Sequence, residues 1–148
     1  MDKEVLIHVS GLHMLLEGED QGPVELVVPG KYYFKNGSHY LRYEEVLEEN
    51  SKPTINYVKI SPHALEVRKT GLVDVHMVFE HGKKNTAFYS TPFGTIQLGI
   101  AATSLEMEES ETGIEMKVDY ALDMNEEHVA DCCLSIQAQS KDAPDFQL

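Results

Sequence analysis

The chain has 148 residues, 42% of them hydrophobic and 25% charged, and its 25 acidic and 12 basic groups give a formal net charge of −13. That length suits one domain and is short for two, and the composition is that of a soluble globular protein rather than a disordered one. So acidic a surface repels phosphate backbones and anionic bilayers, which disfavours nucleic-acid and membrane partners unless the few cations cluster in space; Lys83-Lys84 and Arg68-Lys69 are adjacent basic pairs, and neither amounts to a patch.

Taken in order, Val5, Ile7 and Val9 alternate with Leu6, His8 and Ser10, a strand with a partly polar second face. Glu17 to Asp20 with Gly22-Pro23 reads as an acidic turn. Val24, Leu26 and Val28 alternate again, and Pro29-Gly30 predicts a kink or bulge before Tyr32-Tyr33-Phe34, since proline cannot donate to a ladder. Asn36-Gly37 is the strongest hairpin signal in the chain, both residues accepting the positive φ of a type I′ turn. The return strand is expected over His39 to Val46, with Glu44 to Glu49 a strand end running into a solvated loop. Thr54 to Ile60 is β-branched and strand-like, Ser61-Pro62-His63 turns it, and Leu65 and Val67 carry the next strand to Thr70-Gly71.

Val73, Val75, Met77 and Phe79 follow on one parity, and His81 to Lys84 leads into a hairpin cornered by Thr91-Pro92-Phe93-Gly94, where Pro92 and Gly94 suit a type I turn. The long strand after Gly94 changes phase: Ile96, Leu98, Ile100 and Ala102 share one parity, Leu105 and Met107 the other. A one-residue bulge near Ala102 to Ser104 would restore a single apolar face. Beyond the Glu108 to Gly113 turn, Ile114, Met116, Val118, Tyr120, Leu122 and Met124 alternate with acidic and basic residues. Asn125 to Glu127 turns into a last strand with Ala130, Cys132, Leu134, Ile136 and Ala138 facing in.

About ten strand candidates at hairpin spacing, with no amphipathic helix, predict an all-β protein: a single antiparallel up-and-down β-barrel of about eight to ten strands. The domain spans residues 1–141, and 142–148 form a flexible tail. No apolar run is long enough for a membrane helix, and the N-terminal run, broken by His8, Ser10 and His13, does not read as a signal peptide. Adjacent Cys132 and Cys133 would make a strained disulfide, so both are expected as free thiols in the cytoplasm.

The series Tyr43-Glu44-Glu45, Val67 to Gly71, Phe79, Gly82, Tyr89 to Gly94 and Asp119 to Leu122 resembles the uncharacterised YwiB-like family of bacterial proteins. The resemblance spans Val5 to Gln139 and implies a small cytosolic barrel of the calycin, lipocalin-like kind; it implies no reaction. The better-known calycin ligand sets do not carry over. There is no tryptophan for the lipocalin Gly-x-Trp mark or an avidin-like site, and Glu17 to Gly22 is too short for the two helices of fatty-acid-binding barrels.

Seven histidines invite a metal reading, but the pairs His8/His13 and His76/His81 are five apart and point to opposite faces of a straight strand, so solvent-facing or turn histidines are expected and no metal or cofactor. The acidic loops lack a calcium-loop register and read as solvated edges. Cys132, inward by parity, reads as an inert thiol; Cys133, on the polar face beside Asp131, is the more accessible. No catalytic residue is assigned. The candidate binding set is Arg42, Tyr43, Glu44, Arg68 and Tyr89: arginine to hold a carboxylate, tyrosine to offer a polar tip at an apolar mouth.

Parity sets Arg68 opposite Leu65 and Val67. That favours outer-face ion pairs instead, Arg42 with Glu44 and Arg68 with Glu66 or Glu80. The leading expectation for function is a barrel that binds a small apolar or anionic ligand in its lumen. The alternatives are an enzyme using Glu44 or Glu45 with Arg68 at the barrel mouth, and an interaction protein, for instance a homodimer formed through Leu6, Val27 and Val78.

Overall fold

In the computed structural model the described residues are 3–11, 25–45, 53–71 and 73–140. They form ten strands: β1 (Glu4–Ser10), β2 (Glu25–Lys35), β3 (Ser38–Glu45), β4 (Thr54–Ser61), β5 (Ala64–Thr70), β6 (Val75–Glu80), β7 (Lys84–Thr91), β8 (Gly94–Glu109), β9 (Gly113–Met124) and β10 (Glu127–Ser140). Pairing is antiparallel throughout, in the order β6-β5-β4-β3-β2-β1-β10-β9-β8-β7. The two outermost strands, β6 and β7, are consecutive in the chain, so the sheet curls into an up-and-down barrel that is closed except along one seam.

At that seam β6 and β7 meet only at their ends. Asp74 and Ser90 exchange both backbone bonds, at 2.9 and 2.8 Å, and Lys83 N donates to Glu80 O at the turn. Between them the Asn85 side chain donates to Val78 O at 3.1 Å, satisfying a carbonyl that the interrupted ladder leaves open. Gly82 N reaches across to Ala102 O at 3.0 Å, beside a register shift between Ala102 and Ser104. This is the bulge that the parity change demands: beyond it Leu105 pairs Val118 and Met107 pairs Met116, both toward the core.

Turn chemistry fixes the hairpins. Asn36 and Gly37 both take positive φ, 52° and 80°, as a type I′ turn requires. Asn125 and Glu126 do the same at 50° and 73°. Thr91 caps its corner by accepting from Phe93 N, and Gly94, at φ 136°, occupies a conformation that other residues avoid. The end bearing the last two turns is called upper here, the end bearing Asn36-Gly37 lower. Pro29-Gly30 does not end a strand. β2 runs through it, pairing with β1 up to Lys31 and with β3 from Lys31 onward, so the kink transfers the strand from one neighbour to the other.

The inward parity of all ten strands forms one core. Ile7, Ile60, Leu65, Phe79, Met116 and Ile136 are fully buried, so no water-sized void touches these side chains. Each such side chain contributes about 2 kcal/mol by leaving water, and the core rather than the broken seam holds the barrel together. Outward positions carry charge at mid-strand, Arg42, Lys59, Arg68 and Lys117 among them. No described helix is long and apolar enough to cross a membrane. The expected acidic turn of Glu17 to Asp20, the loop after Glu45 and the tail 142–148 lie outside the described residues.

Candidate functional site

Polar side chains enter the upper interior because several strands keep their inward parity past the point where apolar residues stop. On β3 the inward series is Leu41, Tyr43, Glu45; on β4 it is Thr54, Asn56, Val58, Ile60; on β5 it is Leu65, Val67, Lys69. The ladders set these at one level: Tyr43 faces Asn56, Asn56 faces Lys69, and Lys69 faces Val75. The Asp74–Ser90 bridge then brings Tyr89 beside Val75 across the seam. One step higher, Glu45 faces Thr54.

Lys69 is buried, its side chain 5% exposed, and a buried ammonium must be paired. Its Nζ donates to Glu45 Oε1 at 2.5 Å and to Asn56 Oδ1 at 2.7 Å, while Asn56 Nδ2 donates to the same Glu45 oxygen at 3.1 Å. An ammonium has three protons, and these partners take two. Burial first, and then the Glu45 carboxylate, hold the phenols of Tyr43 and Tyr89 well above the ordinary tyrosine value. The hydroxyls of Tyr89 and Thr54 are buried with no hydrogen-bond partner among the described residues. Such orphans are rare in native interiors, because each forfeits its bonds to water for nothing.

A cleft of about 350 Å³ opens beside this layer. It arises where β2 leaves β3: above the Lys31–Arg42 pair the two strands no longer bond, and Val28, Pro29, Gly30, Arg42, Tyr43 and Glu44 line the gap. Tyr43 belongs to both the cleft and the interior layer. Gly30 is required there, since a Cβ would sit 2.7 Å from Arg42 O and 2.3 Å from Ile7 Cδ1.

The lower interior holds a second polar set. Tyr32 OH lies 2.8 Å from His39 Nδ1, and His39 Nε2 lies 3.1 Å from Glu109 Oε1. All three are satisfied when the phenol donates to Nδ1 and Nε2–H donates to the carboxylate. Burial and then Glu109 raise the Tyr32 phenol. His39 is therefore not the solvent-facing or turn histidine that spacing suggested; it follows Leu41 and Tyr43 in inward parity and is buried.

Of the five residues singled out in the sequence, the structure places Tyr43 and Tyr89 inside at one level and Arg42, Glu44 and Arg68 on the outer wall. Arg42 pairs with Glu44 at 3.6 Å and lies over the Tyr57 ring at 6.0 Å. Arg68 has no ion pair among the described residues: Glu66 is held by Lys59 and His76, and Glu80 by Lys83 and Asn85. The interior cation is the next residue, Lys69, and the interior carboxylate is Glu45. Parity was the signal for both, each standing two positions beyond an inward residue. Leu6 and Val27 lie on adjoining strands, but Val78 is on β6, four strands from Val27.

The cysteines are free. Burial raises the half-buried Cys132 thiol, and donation to Asp119 Oδ1 at 2.6 Å raises that of Cys133. Neither is set up as a thiolate nucleophile.

A family model described as a domain of unknown function, DUF1934, matches residues 7–136. The chain is 28% identical over 119 residues to the uncharacterized beta-barrel protein YwiB of Bacillus subtilis (strain 168), covering 78% of this chain and 82% of that one. The crystal structure of the ywiB protein from Bacillus subtilis superimposes with a TM-score of 0.75 at 24% identity, over 93% of this chain and 92% of the other. At that identity the structural likeness speaks to fold.

Proposed function

The chain belongs to the DUF1934 family, and on that footing we propose that it is a cytoplasmic binding protein for a small, oxygen-bearing molecule held at the upper end of the barrel. The observation that carries this reading is the pair of orphaned buried hydroxyls, Thr54 Oγ1 and Tyr89 OH, beside an ammonium with a proton to spare. A carbonyl or carboxylate oxygen would satisfy the hydroxyls and the remaining Lys69 proton, and the β2–β3 cleft, lined in part by Tyr43, offers an approach. The fully buried side chains at mid-barrel favour a short anionic ligand over a long apolar one. The two free thiols support a reducing compartment.

The test is to purify the protein, record its mass by native mass spectrometry, then denature it and weigh what is released. A small molecule released from the wild type, and lost from both Tyr89→Phe and Thr54→Val, is the expected result. Release of nothing from protein taken from its own host, with no small carboxylate raising its melting temperature, would sink the reading.

The buried Glu45–Lys69 pair favours one second reading, a proton-transfer site in the same layer. Turnover of the released molecule by wild type but not by Glu45→Gln would select it over simple binding.

A further inference from the structure

The total charge argues against a nucleic-acid partner, yet the ladder register gathers on one outer wall cations that lie far apart in sequence. Reading across β2 to β6, Lys31 faces Arg42, Arg42 faces Tyr57, Tyr57 faces Arg68, and Arg68 faces His76. This row holds both arginines of the chain, and on β1 it meets Glu4, which pairs with Lys31 at 2.8 Å. The neighbouring row runs Tyr33, Tyr40, Lys59, Glu66, with Lys59 and Glu66 paired at 3.8 Å. Tyr33 and Tyr40 are stacked at 5.4 Å with 12° between their planes, and Lys59 lies over the Tyr40 ring. Tyr33 and Tyr57 are 46% and 41% exposed although both are large and hydrophobic in body. The opposite wall, on β8 to β10, presents Glu106, Glu108, Glu115, Asp119 and Asp131 instead.

We propose that this wall binds a short single-stranded nucleic acid, with Tyr33 and Tyr57 as stacking surfaces and Lys31, Arg42, Lys59 and Arg68 along the phosphates. Five strands at a spacing of about 4.8 Å make the row roughly 19 Å long, which fits a few nucleotides and not a long duplex. Aromatic faces interleaved with cations on an exposed sheet are what unpaired bases and their backbone both need. A duplex hides its bases and would bring more phosphate against the acidic remainder of the protein. Arg68, with no ion pair among the described residues, is the cation free to engage a phosphate without first losing a carboxylate. An acidic polypeptide, or the acidic wall of a second copy, would match the cations but would leave the exposed Tyr57 ring without a planar partner.

The experiment is fluorescence anisotropy of a short labelled oligouridylate titrated with the full chain at low and moderate salt. Binding that weakens with salt is expected. Tyr57→Ala should weaken it about tenfold through lost stacking. Arg68→Gln should weaken it and flatten the log–log salt slope by about 0.7. Both residues are exposed, so both variants should melt with the wild type. The proposal is overturned by no binding at low salt, by binding that neither substitution changes, by polyglutamate displacing the oligonucleotide as well as unlabelled oligouridylate does, or by sedimentation showing self-association through this wall.

Discussion

At the lower end of the barrel, Tyr32, His39 and Glu109 form a chain in which phenol, imidazole and carboxylate each find a partner. At the upper end, Lys69, Asn56 and Glu45 bond one another, and the buried hydroxyls of Thr54 and Tyr89 have no partner among the described residues. Both sets sit on inward parity and both reach across strands, β2 to β8 below and β3 to β7 above. A satisfied network rigidifies the fold and is finished by folding alone. An unsatisfied one carries a cost that a bound oxygen acceptor relieves.

The largest effect expected is at Lys69. Replacing it with methionine leaves the Glu45 carboxylate in the interior without its cation and should lower the unfolding free energy by about 3 kcal/mol. Combining it with Glu45→Gln should restore most of that, as urea denaturation would show. A Lys69→Met protein as stable as the wild type would mean the pair is solvated. His39→Leu comes next, since it removes the partner of the buried Tyr32 phenol and should cost about 2 kcal/mol. An unchanged midpoint would show that the lower chain is not a structural strut.

A pH titration touches both ends. Tyr43 and Tyr89 above, Tyr32 below and Tyr120 between them all have folded phenols raised by burial above their unfolded value near 10. A raised folded value means the stabilisation is in full below about pH 10 and is lost as pH climbs toward the folded values. Alkaline unfolding should therefore coincide with a cooperative rise of tyrosinate absorbance. Gradual ionisation of all seven tyrosines without unfolding would contradict the burial.

Much of the fold was legible because it depends on local chemistry. Asn36-Gly37 names its own turn, and the change of phase from Ala102 to Leu105 cannot be accommodated on one face without an extra residue. The interior site was less legible for a physical reason. Parity points Arg68 outward, and the same parity carries Lys69 inward behind Leu65 and Val67, whereas charge alone reads the Arg68-Lys69 pair as surface. Glu45 likewise follows Leu41 and Tyr43 inward, although four glutamates between Glu44 and Glu49 suggest a solvated end. What makes these burials affordable is a partner on another strand, and cross-strand register such as Tyr43 to Asn56 to Lys69 is not written in any one segment. The outer tyrosine and arginine row was hidden in the same way.

The smallest effect separates the two ends most directly, because its sign differs between them. Tyr32→Phe and Tyr89→Phe each remove one buried hydroxyl oxygen and nothing else, and equilibrium unfolding of the two ligand-free variants can be compared with the wild type. The account predicts that Tyr32→Phe destabilises by about 1 kcal/mol, having broken a made hydrogen bond, while Tyr89→Phe is neutral or stabilises by up to about 1 kcal/mol. Equal losses in both variants would show that the Tyr89 hydroxyl is already satisfied within the protein, and the upper layer would then be a strut like the lower one.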